Sequence, residues 1–210
     1  MNELDKHRIK EVWRGVSMER AEAEQILDEA KCLNDGGWIN HSYNVAYLAE
    51  KIAALCNMDV NKAYCFGLLH DIGRRNGKMQ SRHIVDGYKF LQSEGYYEAA
   101  RICVTHTFQY KNVDAIYDNW DCENKDIDIV RDFLENIEYD EYDRLIQLCD
   151  ALSLNDGYCY VEKKMVSSVM KFGFKDTTLQ KWNAIFELKK IFDKKVGMDI
   201  YSLCGKLSAP

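Results

Sequence analysis

Apolar residues recur at spacings of three and four along most of the chain, and that rhythm predicts helices rather than strands. Residues 17–33 place Ile26, Leu27, Ala30 and Leu33 on one face, with Ser17 as the opening residue and Arg20 where a capping box would carry Glu. Asn34-Asp35-Gly36-Gly37 ends that helix. Residues 38–56 gather Val45, Leu48, Ala49, Ile52 and Leu55 on a single face, which sets His41 near the start of a half-buried helix. Asp59 suits the N-cap of a third helix over 60–72, closed by Gly73. After a loop over 74–81, helices are predicted over 82–93, ending at Gly95, and over 97–108, where His106 is set between Val104 and Phe108. Residues 111–125, rich in Asp and Asn, read as a loop with a short helical turn. Four more helices follow over 127–137, 141–154, 161–172 and 177–196, and no strand or repeat stands out.

Composition sharpens this picture. The one proline is Pro210, so no position inside the chain forbids helix on steric grounds, and the fold class expected is all-α. No Pro-, Gly- or Ser-rich linker divides the 210 residues, which predicts one domain with its core over 38–154 and a helical extension over 155–210. A net charge of -6 disfavours a general grip on nucleic acid, and no apolar run approaches the ~20 residues that span a bilayer. The eight cysteines include no Cys-x-x-Cys pair, and the first residues lack the apolar run of a signal peptide. Reduced thiols in a cytoplasmic protein are therefore expected, with Cys65, Cys103 and Cys149 serving as small core residues.

The chemistry lies in six residues scattered over apolar helices, one histidine-aspartate pair among them. His41, His70, Asp71, His83, His106 and Asp150 all fall inside or beside apolar stretches, with His70-Asp71 in GLLHDIG. Taken singly, each histidine has a bland reading as a helix-terminal or core imidazole. Asp150, between Leu148-Cys149 and Ala151-Leu152, does not, because an unpaired carboxylate at a core edge carries a heavy desolvation penalty. One bound divalent cation explains all six more economically, since imidazole and carboxylate are its natural ligands. His7 lies outside the pattern and is assigned to the surface.

The order His41, His70-Asp71, Asp150, with NHSYNVAYLAEKIA and GLLHDIGRR around the first two, resembles the H…HD…D signature of the HD superfamily. His83 and His106 between the HD pair and the last Asp are similar to the family's dinuclear members. The resemblance implies a helical bundle with added C-terminal helices and one or two divalent ions, iron, manganese or another transition metal, with magnesium also compatible. It further implies that His41, His70, Asp71 and Asp150 hold a first ion, and that Asp71 bridges to a second held also by His83 and His106. A metal-activated water would then cleave a phosphoester or phosphoanhydride of a nucleotide or small phosphorylated metabolite.

Independently of the family, GRRNGKMQSRH concentrates Arg74, Arg75, Lys78 and Arg82 with no acidic residue, which suits a phosphate. Asp71 and Arg74 are the residues expected to act in catalysis, and these four cations the ones expected to bind substrate. Asp86 is a candidate to orient His83, and Trp38, Tyr43, Phe108 and Tyr110 are candidates to stack on a base. The expected partners are a small phosphorylated substrate, with nucleotides among the candidates, and a second copy of the chain in a homodimer. Neither a membrane nor extended nucleic acid is expected. Three other readings are open: a diiron oxygenase on the same six ligands, a nucleotide-binding regulatory module without catalysis, and a thiol enzyme pairing Cys103 with His106.

Overall fold

The computed structural model describes residues 17–208, so His7 lies outside the described residues. The helices in chain order are α1 (Arg20–Leu33), α2 (Gly37–Leu55), α3 (Val60–Leu69), α4 (Arg82–Ser93) and α5 (Tyr97–Thr105). Then come α6 (Asn124–Asn136), α7 (Glu141–Leu152), α8 (Val161–Phe172) and α9 (Thr178–Val196). Two 3-10 segments, Ile72–Asn76 and Ile200–Cys204, complete an all-α architecture. The strands that the periodicity missed are β1 (Ser153–Leu154), β2 (Gly157–Cys159) and β3 (Leu207–Ser208). At two or three residues each they are too short to show a period of two. β1 pairs antiparallel with β2, Ser153 against Tyr158, and β2 pairs parallel with β3, Tyr158 against Leu207.

Several helix ends differ from the sequence expectation, each for a local reason. The first helix begins after Glu19 rather than Ser17, because the Glu22 carboxylate accepts the Glu19 amide at 2.9 Å and reproduces half of a capping box with an acid in place of Ser. Asp59 does cap α3, accepting from the Lys62 amide at 3.0 Å. That helix stops at Leu69, three residues early, where the backbone tightens into the 3-10 segment. The fifth stops at Thr105, and Phe108 turns into a small second core with Ile84, Val85, Val104 and Val130. Leu33 and Leu55, assigned to buried faces by spacing, are exposed at the last turns of their helices.

The main core is one continuous cluster. Leu48 and Ile52 of α2, Leu68 and Leu69 of α3, and Leu145 and Leu148 of α7 pack with Met165, Ile185 and Phe192 of the C-terminal helices. Each such aliphatic side chain contributes about 1.5–3 kcal/mol when fully withdrawn from water. Two glycines permit the closest approaches. A Cβ on Gly67 would stand 2.7 Å from the Ala46 Cα, so glycine lets α3 lie against α2. A Cβ on Gly73 would stand 2.0 Å from the His83 carbonyl oxygen, so the 3-10 turn after His70-Asp71 touches the backbone of α4.

Polar clamps fix α5 against α7. Arg101 grips the buried Asp143 carboxylate through two nitrogens, Thr105 donates its hydroxyl to the same group at 2.7 Å, and Asp140 donates its amide at 2.7 Å. With its lone pairs filled, this buried anion is compensated. Gln147, also buried, donates to the Thr105 carbonyl at 2.8 Å. The end of α5, which carries His106, is thereby registered against the helix that carries Asp150.

Gly73→Ala is expected to cost about 1–3 kcal/mol by overpacking, lowering the melting temperature by about 2–4 °C per kcal/mol for a chain this long. A thermal melt checks it, and an unchanged melting temperature would mean that the turn does not rest on α4.

Candidate metal centre

Each of the six residues singled out by the sequence sits at a place where the backbone can aim it. His41 is in the first turns of α2, and His83 is in the first turn of α4. His70 and His106 are the C-cap residues of α3 and α5. Asp150 lies in the last turn of α7. Within a regular helix, the neighbours His70 and Asp71 would point about 100° apart. Asp71 instead has φ -105° and ψ 14° at the head of the 3-10 turn, in the sparsely populated bridge region, and both side chains face one centre.

The histidine tautomers follow from the bonds behind them. His70 Nδ1 faces the Gly67 carbonyl oxygen at 2.7 Å, His83 Nδ1 faces that of Gln80, and His106 Nδ1 faces that of Cys103 at 2.9 Å. A carbonyl oxygen only accepts, so each Nδ1 carries the proton and each Nε2 presents a lone pair. Those Nε2 atoms converge. His41 Nε2 lies 3.0 Å from Asp150 Oδ1, and His70 Nε2 lies 3.9 Å from both Asp71 Oδ2 and Asp150 Oδ1. His83 and His106 reach Asp71 Oδ1 at 3.1 and 3.7 Å.

Two triads emerge whose ligating atoms all lie within 4.8 Å of one another: His41, His70 and Asp150, and His70, Asp71 and His106. His83 belongs to neither; the Arg74 guanidinium stands 3.4 Å from its Nε2 while donating to Asp71 Oδ2 at 2.6 Å. His70 Nε2 and Asp71 Oδ1 are buried without a hydrogen-bond partner. Buried acceptors are rarely left so, and a divalent cation is the partner that this donor set fits.

Electrostatics point the same way. Burial alone would lift the Asp71 carboxyl, but the Arg74 guanidinium, the largest opposing influence, holds it well below the usual carboxylate range. At Asp150, burial is likewise outweighed, first by Lys164 and then by His41. Burial pushes the His70 imidazole down and takes that of His106 down to about 3. Anionic carboxylates beside neutral imidazoles are the protonation states that metal ligation requires.

A family model described as HD domain matches residues 38–155. The chain belongs to the HD-domain family. Searches of curated proteins and of solved structures returned no match. HD domains bind divalent metals, and the two His/Asp triads are groups that could hold one here.

Beside the HD-domain residues opens a cavity of about 460 Å³. Of the four loop cations only Arg74 lines it. Arg75 lies over the Phe90 ring at 3.9 Å, Arg82 turns to Asp86 at 3.2 Å, and Lys78 is exposed. Asp86 does not orient His83; it accepts from Arg82 and from Asn76, and the Gln80 carbonyl fills that role. Among the four aromatics only Trp38 faces the cavity: Phe108 is core, Tyr43 stacks on Tyr47, and Tyr110 is on the surface. Cys103 donates to the Leu69 carbonyl and burial pushes its thiol up, which removes the thiolate that a thiol enzyme needs.

The C-terminal helices supply what sequence reading missed. Lys164 of α8 donates to Asp150 Oδ1 at 2.8 Å, and Lys181 of α9 lines the cavity. Lys181 had a legible signal: with Ile185, Leu188 and Phe192 it forms a stripe at helical spacing in which a lysine is out of place.

His106 yields a pH prediction. Its folded value lies below the ordinary 6.5, at about 3, so between those values the unfolded chain binds a proton that the folded chain refuses. Stability is present above pH 6.5 and lost as pH falls through that window. In metal-free protein the melting temperature should begin to fall near pH 6.5, before the carboxylates titrate, and His106→Asn should shrink that early loss; melting curves with the same pH slope in both proteins would contradict it.

Proposed function

We propose that the protein is a metal-dependent phosphohydrolase that cleaves a phosphoester or phosphoanhydride of a small phosphorylated metabolite, nucleotides included. The observation that carries this reading is a pair of buried, unpartnered acceptors, His70 Nε2 and Asp71 Oδ1, in a His/Asp cluster that shares a cavity with Arg74 and Lys164. His41, His70, Asp71, His83, His106 and Asp150 would hold one or two divalent ions. Bound there, such ions supply Lewis acidity that polarises a phosphoryl oxygen and lets water react near neutral pH.

The chain's own residues do the rest. Asp71, which faces His70 on one side and His83 and His106 on the other, would be a ligand to an ion held there. Arg74 brings a planar, permanently charged group to the edge of the cluster, where its remaining nitrogens suit a phosphoryl oxygen. Lys164 adds a second cation against Asp150, so an entering phosphate meets positive charge from two parts of the chain. Met165, Phe172 and Ile185 form an apolar wall that limits water and favours a ligand with an organic body. A cavity of this volume suits a metabolite and not a polymer.

The test is phosphate release from a panel of nucleotides and phosphomonoesters by freshly purified, manganese- or iron-loaded protein, run in air and under nitrogen. Turnover independent of dioxygen is expected, lost together with metal content in Asp71→Ala. Arg74→Ala is expected to raise KM about tenfold or more, as loss of a charge-assisted contact does, with metal still bound by elemental analysis. Absence of phosphate release across the panel, or release only with dioxygen, would overturn the reading; an unchanged KM in Arg74→Ala would remove that residue from the binding site.

A further inference from the structure

Lys181 is buried in the first turn of α9, with 4 % of its surface exposed, yet it lines the cavity. Its ammonium donates to the Thr107 carbonyl oxygen at 2.7 Å and to that of Ala115 at 2.8 Å. No carboxylate stands within ion-pair distance of it among the described residues, whereas Lys164 has one and Lys189 has two. Carbonyl oxygens satisfy two of its three N–H donors but leave its charge uncompensated, and an unpaired charge in a protein interior is costly. A neutral donor would tie α9 to those carbonyls without that cost. Burial accordingly pulls the ammonium down to about 7.

The neighbouring groups are also short of partners. The Tyr117 ring lies under Lys181, 4.7 Å from the ammonium to the ring centroid, and its hydroxyl accepts from Trp182 Nε1 at 3.0 Å. The phenolic O–H donates to no acceptor among the described residues, and Tyr117 lines the cavity. Gln109, three residues after His106, also lines this cavity, and its Oε1 is buried without a hydrogen-bond partner. A charged donor and a neutral donor therefore border one cavity beside the candidate metal ligands.

We propose that Lys181 and Tyr117 form an anion subsite that receives a phosphate oxygen of the substrate. This rests on the reading of the cavity as a substrate site and narrows it. The ligand is a small phosphorylated metabolite, and the extension beyond the matched family region helps to select it. Lys181 is a binding residue supplied by α9, where the sequence shows no clustered chemistry.

Calorimetric titration of the purified, metal-loaded protein with inorganic phosphate tests the proposal in wild type, Lys181→Met and Tyr117→Phe. Methionine keeps the length and apolar stem of lysine, and phenylalanine keeps the ring. Phosphate affinity should fall about tenfold or more in Lys181→Met and severalfold in Tyr117→Phe, with metal content unchanged by elemental analysis. Affinity within twofold of wild type in folded Lys181→Met would overturn the subsite and leave the lysine a strut between α9 and the loop after α5. If Lys181→Met does not fold, Tyr117→Phe decides by the same criterion, and absence of phosphate binding in wild type overturns the proposal outright. Weakened phosphate binding in a protein that hydrolyses no phosphoester would sustain the subsite and sink the hydrolase reading; hydrolysis with phosphate affinity untouched by either variant would do the reverse.

Discussion

Two carboxylates, Asp71 and Asp150, are held largely away from water, and keeping either ionised there costs several kcal/mol unless positive charge is set against it. The protein meets this demand only in part. Arg74 reaches one oxygen of Asp71, and Lys164 and His41 reach one oxygen of Asp150, but Asp71 Oδ1 and His70 Nε2 keep unspent lone pairs at the centre. Residual demand of this kind is what a divalent cation satisfies, and it ties the local backbone, the clamps and the cavity into one design.

The candidate ligands come from α2, α4, α5, α7 and the end of α3, and they sit near helix ends, where a small backbone change re-aims a side chain. Gly73 lets the turn after Asp71 meet α4, which brings His83 to Asp71. The Arg101, Thr105 and Asp143 cluster, with Gln147, sets α5 against α7 and so fixes His106 relative to Asp150. Behind the imidazoles of His70, His83 and His106, backbone carbonyls hold the tautomer. Such outer contacts matter to a metal site nearly as much as the ligands do.

Much of this was legible in the sequence because burial and helical period leave a clear trace. The helices, and six chemically demanding side chains on apolar stretches, could be read from spacing alone, as could the free, buried Cys65, Cys103 and Cys149. What escaped depended on tertiary geometry. A run of basic residues says nothing about direction, so Arg75, Lys78 and Arg82 looked equivalent to Arg74 until the fold turned them away. The small sheet hid because its strands are shorter than any period. Lys164 and Lys181 lie more than fifty residues past the HD pair, and only the packing of α8 and α9 onto the core brings them to its cavity. No helix among the described residues is long and apolar enough to cross a membrane.

Everything rests on a cation at the point where these imidazoles and carboxylates meet. Calorimetric titration of metal-stripped protein with manganese or ferrous iron, repeated on His70→Ala, addresses that directly. Saturable binding of one or two ions per chain that collapses without His70 is predicted; no binding, or binding indifferent to the loss of His70, would contradict it.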